Sequence, residues 1–122
     1  MSVGTPVQIA EDYLTAFYTG DFARARDLVA ETFTFRGPFL QVDGRAAFFE
    51  GAQGLKNIVR GHRTVKQWSD AGDVRTLHEV QLQTAAGCGS VLMSEWHTVR
   101  EGRLAAGQVV FDTARFRALL PA

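Results

Sequence analysis

Apolar residues recur every third or fourth position early in the chain and every second position later, so helices come first and strands follow. Thr5, Pro6 and Gln8 form a capping-box start with proline at the first helical position. Ile9, Tyr13 and Phe17 then repeat at intervals of four, widened by Ala10, Leu14 and Ala16, which predicts an amphipathic helix from Pro6 to Thr19. Gly20 ends it, and Asp21 caps a second helix that turns Phe22, Ala25, Leu28 and Val29 inward. Thr32 to Arg36 alternates as a short strand and stops at Gly37 and Pro38. A loop through Asp43 and Gly44 opens a third helix near Arg45, carrying Ala47, Phe48 and Leu55 and weakened by Gly51 and Gly54.

From Thr64 the period becomes two. Strands are expected at Thr64 to Ser69, Val74 to Thr84, Val91 to Val99 and Leu104 to Phe111. Turns fall at Asp70 to Asp73, at Ala85 to Gly89, and at Glu101 with Gly102, a tight hairpin pair. Asp112 is placed to cap a last helix running to Leu120 and closed by Pro121. This order predicts an α+β fold, a curved antiparallel sheet beside N-terminal helices, in a single domain over residues 1–122.

Strand parity isolates the candidate chemistry. Val91, Met93, Glu95, His97 and Val99 share one face of their strand, and Val74, Thr76, His78, Val80 and Leu82 share one face of the strand before it. A carboxylate and two imidazoles thus point where a core should be, the costly place for ionisable groups. With Thr84 opposite Val91, His78 would face His97 and lie diagonal to Glu95; a two-residue slip would set His78 opposite Glu95. Such a cluster can line a pocket and move protons, or close on itself as a hydrogen-bonded network. Two His and one carboxylate are also a ligand set for iron or zinc.

Composition removes whole classes of function. Thirteen basic and thirteen acidic residues leave no net charge, so nothing draws the chain to nucleic acid or to an anionic membrane. Nine Phe, two Trp and two Tyr supply a bulky core or an aromatic cavity. The single cysteine, Cys88, reads as an unreactive thiol in a glycine loop. The first ten residues carry no signal-peptide pattern, and no run approaches a membrane span; a soluble, cytoplasmic protein is expected.

Tyr13, Gly20 with Asp21, Gly44 opening the third helix, Glu95, Gly102, and Phe111 with Asp112 stand in the order and spacing of the nuclear-transport-factor-2-like (NTF2-like) superfamily. The chain resembles its SnoaL-like and ketosteroid-isomerase-like members from Ile9 to Leu119. The resemblance implies a cone-shaped curved sheet wrapped around N-terminal helices, a cystatin-like α+β roll with an apolar pocket. It also implies a homodimer and no metal or other cofactor. That scaffold serves isomerases, epoxide hydrolases, dehydratases, polyketide cyclases and binding modules, so fold does not settle function.

Carried over residue by residue, Tyr13 and Glu95 match the isomerases' oxyanion-binding tyrosine and carboxylic acid. The isomerase base is an Asp before proline, and Gly37 stands there, so steroid isomerisation by that route is not expected. Epoxide hydrolases place an Arg and an Asp where Met93 and Val109 stand. A SnoaL-type cyclase needs one acid/base group, which His78 or His97 could supply. The implied pocket would be lined by Phe17, Phe48, Met93, Val109 and Phe111, and would take a small apolar carbonyl compound. The alternatives are a non-catalytic binder of small hydrophobic ligands and a dimeric interaction module.

Other residues carry plainer expectations. His62, beside Arg60 and Arg63, reads as a solvated basic loop, Trp68 as core or interface, and Arg36 as a possible pocket-mouth residue. Leu77, Leu92 and Trp96 give the sheet's opposite face apolar patches that a second subunit would cover.

Overall fold

The computed structural model describes residues 4–120. Helix α1 spans Pro6–Tyr18 and α2 spans Phe22–Asp27; strands β1 (Val29–Arg36) and β2 (Gln41–Asp43) precede α3 (Arg45–Gly51) and a 3-10 turn (Gln53–Asn57). The long strands β3 (Val59–Asp70), β4 (Asp73–Thr84), β5 (Gly87–Arg100) and β6 (Arg103–Phe111) follow, and α4 (Thr113–Ala118) ends the described chain. The Thr5 hydroxyl accepts from the Gln8 N–H while the Gln8 side chain accepts from the Thr5 N–H, so α1 starts on the expected capping box. Asp21 and Asp112 cap α2 and α4 by side-chain oxygens that accept first-turn N–H groups.

One six-stranded sheet has the order β2-β1-β6-β5-β4-β3. Every neighbouring pair is antiparallel except β1 with β6, which is parallel, so the sheet is mixed rather than wholly antiparallel. The parallel pair arises because β1, the first strand in sequence, is added beside β6, the last. Register shifts in β3 between Val59 and Gly61 and between Thr64 and Lys66 each admit an extra residue, which bends the strand and coils the sheet. The bent sheet holds the helices on its inner face, where Tyr13, Leu14, Phe33, Phe49, Val80, Leu82, Val91 and Leu104 are almost completely buried. This is the cone-like α+β fold expected from the sequence. Among the described residues no helix is long and apolar enough to cross a membrane.

Several boundaries differ from expectation. α2 stops at Asp27, and Val29 belongs to β1, because the Leu28 carbonyl already accepts from the Leu104 N–H and joins the chain to the sheet. β2 is too short to show a period in sequence. β3 begins at Val59, not Thr64, since the bulge at Gly61 hides its alternation. The β4–β5 turn is only Ala85 and Ala86, with Thr84 opposite Gly87, so Cys88 lies in an exposed strand end paired with Gln83. α4 ends at Ala118, two residues short of the expected Leu120; the closing role read for Pro121 falls outside the described residues.

Gly107, opposite His97 on β6, is a close-approach position. A Cβ there would stand 2.9 Å from the Phe33 ring and 3.3 Å from the His97 ring. Gly107→Ala is expected to destabilise the protein by about 1–3 kcal/mol through overpacking, measured by urea denaturation.

Candidate active site

Alternation along β5 buries Val91, Met93, Glu95, His97 and Val99 and exposes Leu92 and Trp96, as parity predicts. His78 on β4 is equally inward and wholly buried. The two-residue turn sets the register four residues away from that expected: His78 faces Met93, Thr76 faces Glu95 and Val74 faces His97. Glu95 therefore lies diagonal to His78, with His97 one pair further along on the same face.

A buried carboxylate costs several kcal/mol in lost hydration unless its oxygens find strong donors. Glu95 Oε2 receives two: the Tyr18 hydroxyl at 2.5 Å and His78 Nε2 at 2.7 Å. Burial is the largest single influence and would raise the carboxyl's pKa. The hydrogen bond and charge of His78, the charge of His97 and the Tyr18 hydroxyl together outweigh it, so Glu95 sits below its ordinary value and is ionised. Burial, with the same carboxylate adding to it, pushes the Tyr13 and Tyr18 phenols well above theirs. Oε1 is held less tightly: His97 Nε2 lies 3.7 Å away, beyond hydrogen-bond length. His97 Nδ1 is buried without a partner, and burial holds this imidazole below its usual range, Glu95 opposing and His78 adding to the shift.

Tyr18, rather than Tyr13, is thus the phenol that grips Glu95. Tyr13 lies edge-on to the His97 ring at 5.2 Å, and its hydroxyl makes no hydrogen bond among the described residues. Tyr18 had a signal of its own: Ala10, Leu14 and Tyr18 repeat every fourth residue beside Ile9, Tyr13 and Phe17. His62 was also misjudged. It is half-buried in β3 opposite Val80, its ring 5.2 Å from Tyr18 and 5.4 Å from His78. The bulge beside Gly61 turns it inward, and no regular alternation announces that.

A cavity of about 200 Å³ lies between α1, α3, α4 and the inner sheet face. Phe17, Phe48, Met93, Val109 and Phe111 line it, as do Tyr13, Tyr18 and Glu95. Among the described residues Glu95 is the only charged side chain on its wall; His78 and His97 do not reach it. The two imidazoles stand behind the carboxylate and tune it, and are not positioned to touch a molecule in the cavity. Gly37 is on the wall too, but a Cβ there would come within 2.9 Å of Val109 and 3.0 Å of the Phe35 ring. The space an isomerase base would need is filled by those two side chains. Arg36 is not at the mouth: its guanidinium bonds Asp43 and the Val42 carbonyl. Among the described residues no group of three His, Cys, Asp or Glu side chains could hold a metal ion.

The fold is shared with solved NTF2-like structures. An NTF2-like protein of unknown function from Burkholderia pseudomallei superposes with a TM-score of 0.83, at 15% identity over 100% of both chains. A putative SnoaL-like polyketide cyclase from Shewanella denitrificans gives 0.81, at 11% identity over 93% of this chain and 95% of that one. An LEH-like epoxide hydrolase from M. tuberculosis gives 0.77, at 18% identity over 93% and 88%. No family model matches the chain, and no curated protein matches its sequence. Identities this low establish the fold and leave the chemistry to the site.

The lowered groups set a direction for pH. For a group with a depressed folded value, the stability it contributes is present above its ordinary value and is lost as pH falls. His62 and His97 act first, below their ordinary 6.5, and Glu95 follows below its ordinary 4.5. Thermal denaturation is expected to show the melting temperature falling with acidification from about pH 6.5. His97→Leu should flatten the upper part of that fall and leave the lower part.

Proposed function

We propose that the protein binds a compact apolar carbonyl compound in the aromatic cavity and catalyses proton transfer at the carbon beside the carbonyl, as in an isomerase or cyclase. The observation that carries this reading is a single ionised carboxylate, Glu95, on an otherwise uncharged aromatic wall. An ionised carboxylate accepts hydrogen bonds and cannot donate to a carbonyl, so Glu95 suits the role of base. Tyr13, whose hydroxyl is unengaged, suits the role of donor to the substrate oxygen.

In such a step the carbon–hydrogen bond breaks and the proton passes to Oε1. The electron pair moves onto the carbonyl oxygen, where the Tyr13 hydroxyl stabilises it. The resulting enolate then takes a proton at another carbon or attacks an internal electrophile. A ligand that excludes water from the cavity raises the basicity of Glu95 by removing its remaining hydration. The cavity lies below the ~300–1,000 Å³ of typical drug-sized sites, which favours substrates of one or two rings. The SnoaL-like likeness is compatible with this class of chemistry.

The test is hydrogen–deuterium exchange at the α-carbon of 1-tetralone in heavy water, followed by NMR, beside thermal-shift binding of the same ketone. The wild-type protein is expected to accelerate exchange, and Glu95→Gln to reduce the acceleration by about 10²–10⁴-fold with binding retained. Binding without exchange in the wild type would instead favour a non-catalytic carrier. That second reading draws on the absence of any other carboxylate on the wall among the described residues.

The outer sheet face is read as the contact of a homodimer. Trp68, Leu92, Trp96 and Val110 are each exposed there by 45% or more, and Arg75 stacks on Trp96 at 3.9 Å. Burying that face would remove large apolar side chains from water. Trp96→Glu is expected to convert the dimer to monomer in sedimentation velocity; a variant that sediments as the wild type does would exclude this face.

A further inference from the structure

We propose that the loop between β1 and β2 sets the size of ligand the aromatic cavity admits, and that Leu40, whose tip lodges in a notch left by Gly51, is the residue that decides it. The limit drawn by this pair is a ketone of two fused rings. The proposal rests on the reading of the cavity as the ligand site, and it holds whether a bound ketone is turned over or carried.

Leu40 ends the loop 37–40, and Gly51 is the last residue of α3; both line the cavity. A Cβ on Gly51 would stand 2.8 Å from Leu40 Cδ1 and 2.9 Å from Cδ2, closer than real Cβ atoms approach a neighbour. The next nearest atom is again Leu40, its Cγ at 3.5 Å. Gly51 is helical and its φ lies outside the left-handed region, so alanine, the better helix former, would suit its backbone. Space is what calls for glycine here. Gly44, at the start of the same helix, is the opposite case: its φ of +102° favours glycine, and an added Cβ would meet nothing within 4 Å.

Retreat of the loop backbone would break the bonds that close it. The Gly37 N–H donates to the Leu40 carbonyl at 2.9 Å, and the Gln41 side chain donates to the Gly37 carbonyl at 3.1 Å. Phe39 is held edge-on by Phe111 and Phe116, with ring centroids 5.5 and 5.4 Å away. A Cβ at position 51 therefore turns the Leu40 side chain and leaves its backbone in place. Turning it outward would put two methyls in water, whereas turning it inward keeps them among apolar side chains. The direction is thus into the cavity. With a volume of only about 200 Å³ there, a displaced isobutyl tip removes the room for a second ring. Shortening Leu40 has the reverse effect and opens the α3 end to a third ring.

The experiment is NMR titration of the full chain, 13C-labelled at methionine and leucine methyls, with cyclohexanone, 1-tetralone and 9-fluorenone; Met93 reports from the cavity wall. Gly51→Ala is expected to weaken 1-tetralone relative to cyclohexanone by roughly tenfold or more, the effect of about one methylene in an apolar pocket. Leu40→Ala should strengthen 9-fluorenone relative to 1-tetralone by a similar factor. In the double variant the added Cβ has no Leu40 tip to displace, so it should bind as Leu40→Ala does. Xenon, which enters apolar cavities without a carbonyl, gives an independent arm: its shift of the Met93 methyl should shrink in Gly51→Ala and grow in Leu40→Ala. Unchanged ketone ratios and xenon shifts in the folded single variants would overturn the proposal. So would a Gly51→Ala protein that admits larger ketones, or a double variant as restricted as Gly51→Ala. A wild type that binds none of the three ketones refutes the ligand-site reading, and the xenon shifts then decide the notch on their own.

Discussion

One buried negative charge organises the inner face of this protein. Glu95 is buried on the inner sheet face between Met93 on its own strand and Val109 on β6, with Val91, Val80 and Leu82 beyond them, an environment that would neutralise or expel an unpaired carboxylate. It stays ionised because two donors converge on one oxygen, the hydroxyl of Tyr18 from α1 and the imidazole of His78 from β4. Each charge-assisted bond of this type is worth about 1.5–3 kcal/mol, comparable to the hydration forgone. The arrangement ties the first helix to the middle of the sheet, so packing of the helix and the electrostatic state of the site depend on one another.

That dependence also separates the two oxygens. Oε2 is committed to Tyr18 and His78, whereas Oε1, on a side chain that lines the cavity, is left without a close donor. The aromatic cluster around Phe17, which stacks on Tyr13, Phe22 and Phe48 at 5.0–5.7 Å, keeps the cavity walls rigid and apolar. Apolar walls leave a nearby charge unscreened, and rigid walls prevent the carboxylate from reorienting toward solvent. The same features that make Glu95 costly to bury make it usable in chemistry.

Individual residues show how far the sequence was legible and where it was not. Glu95, His78 and His97 were assigned to the inner face from alternation alone, and the structure agrees because a strand has no other choice of parity. Their mutual register was not legible: the β4–β5 loop offered Ala85 to Gly89 as turn residues, and the strands close on Ala85 and Ala86. A glycine-containing segment can turn or extend, and strand pairing chose extension. His62 was hidden by bulges, which break the period that parity arguments need. Tyr13 and Tyr18 both lie on the broad buried side of α1, and periodicity cannot say which phenol meets a strand residue 77 or more positions away.

By itself the sequence determined the element types, the caps, the apolar faces and the presence of ionisable groups in a core, because these follow from local backbone geometry and side-chain period. Only the tertiary structure decided which groups meet. Tyr18 and His78 hold the carboxylate, His97 stands aside with an empty nitrogen, and His62 leads from His78 toward solvent. Those contacts depend on strand register, on bulges and on how a helix lies across a coiled sheet. All three are set by the summed packing of residues distant in sequence, which local rules do not contain.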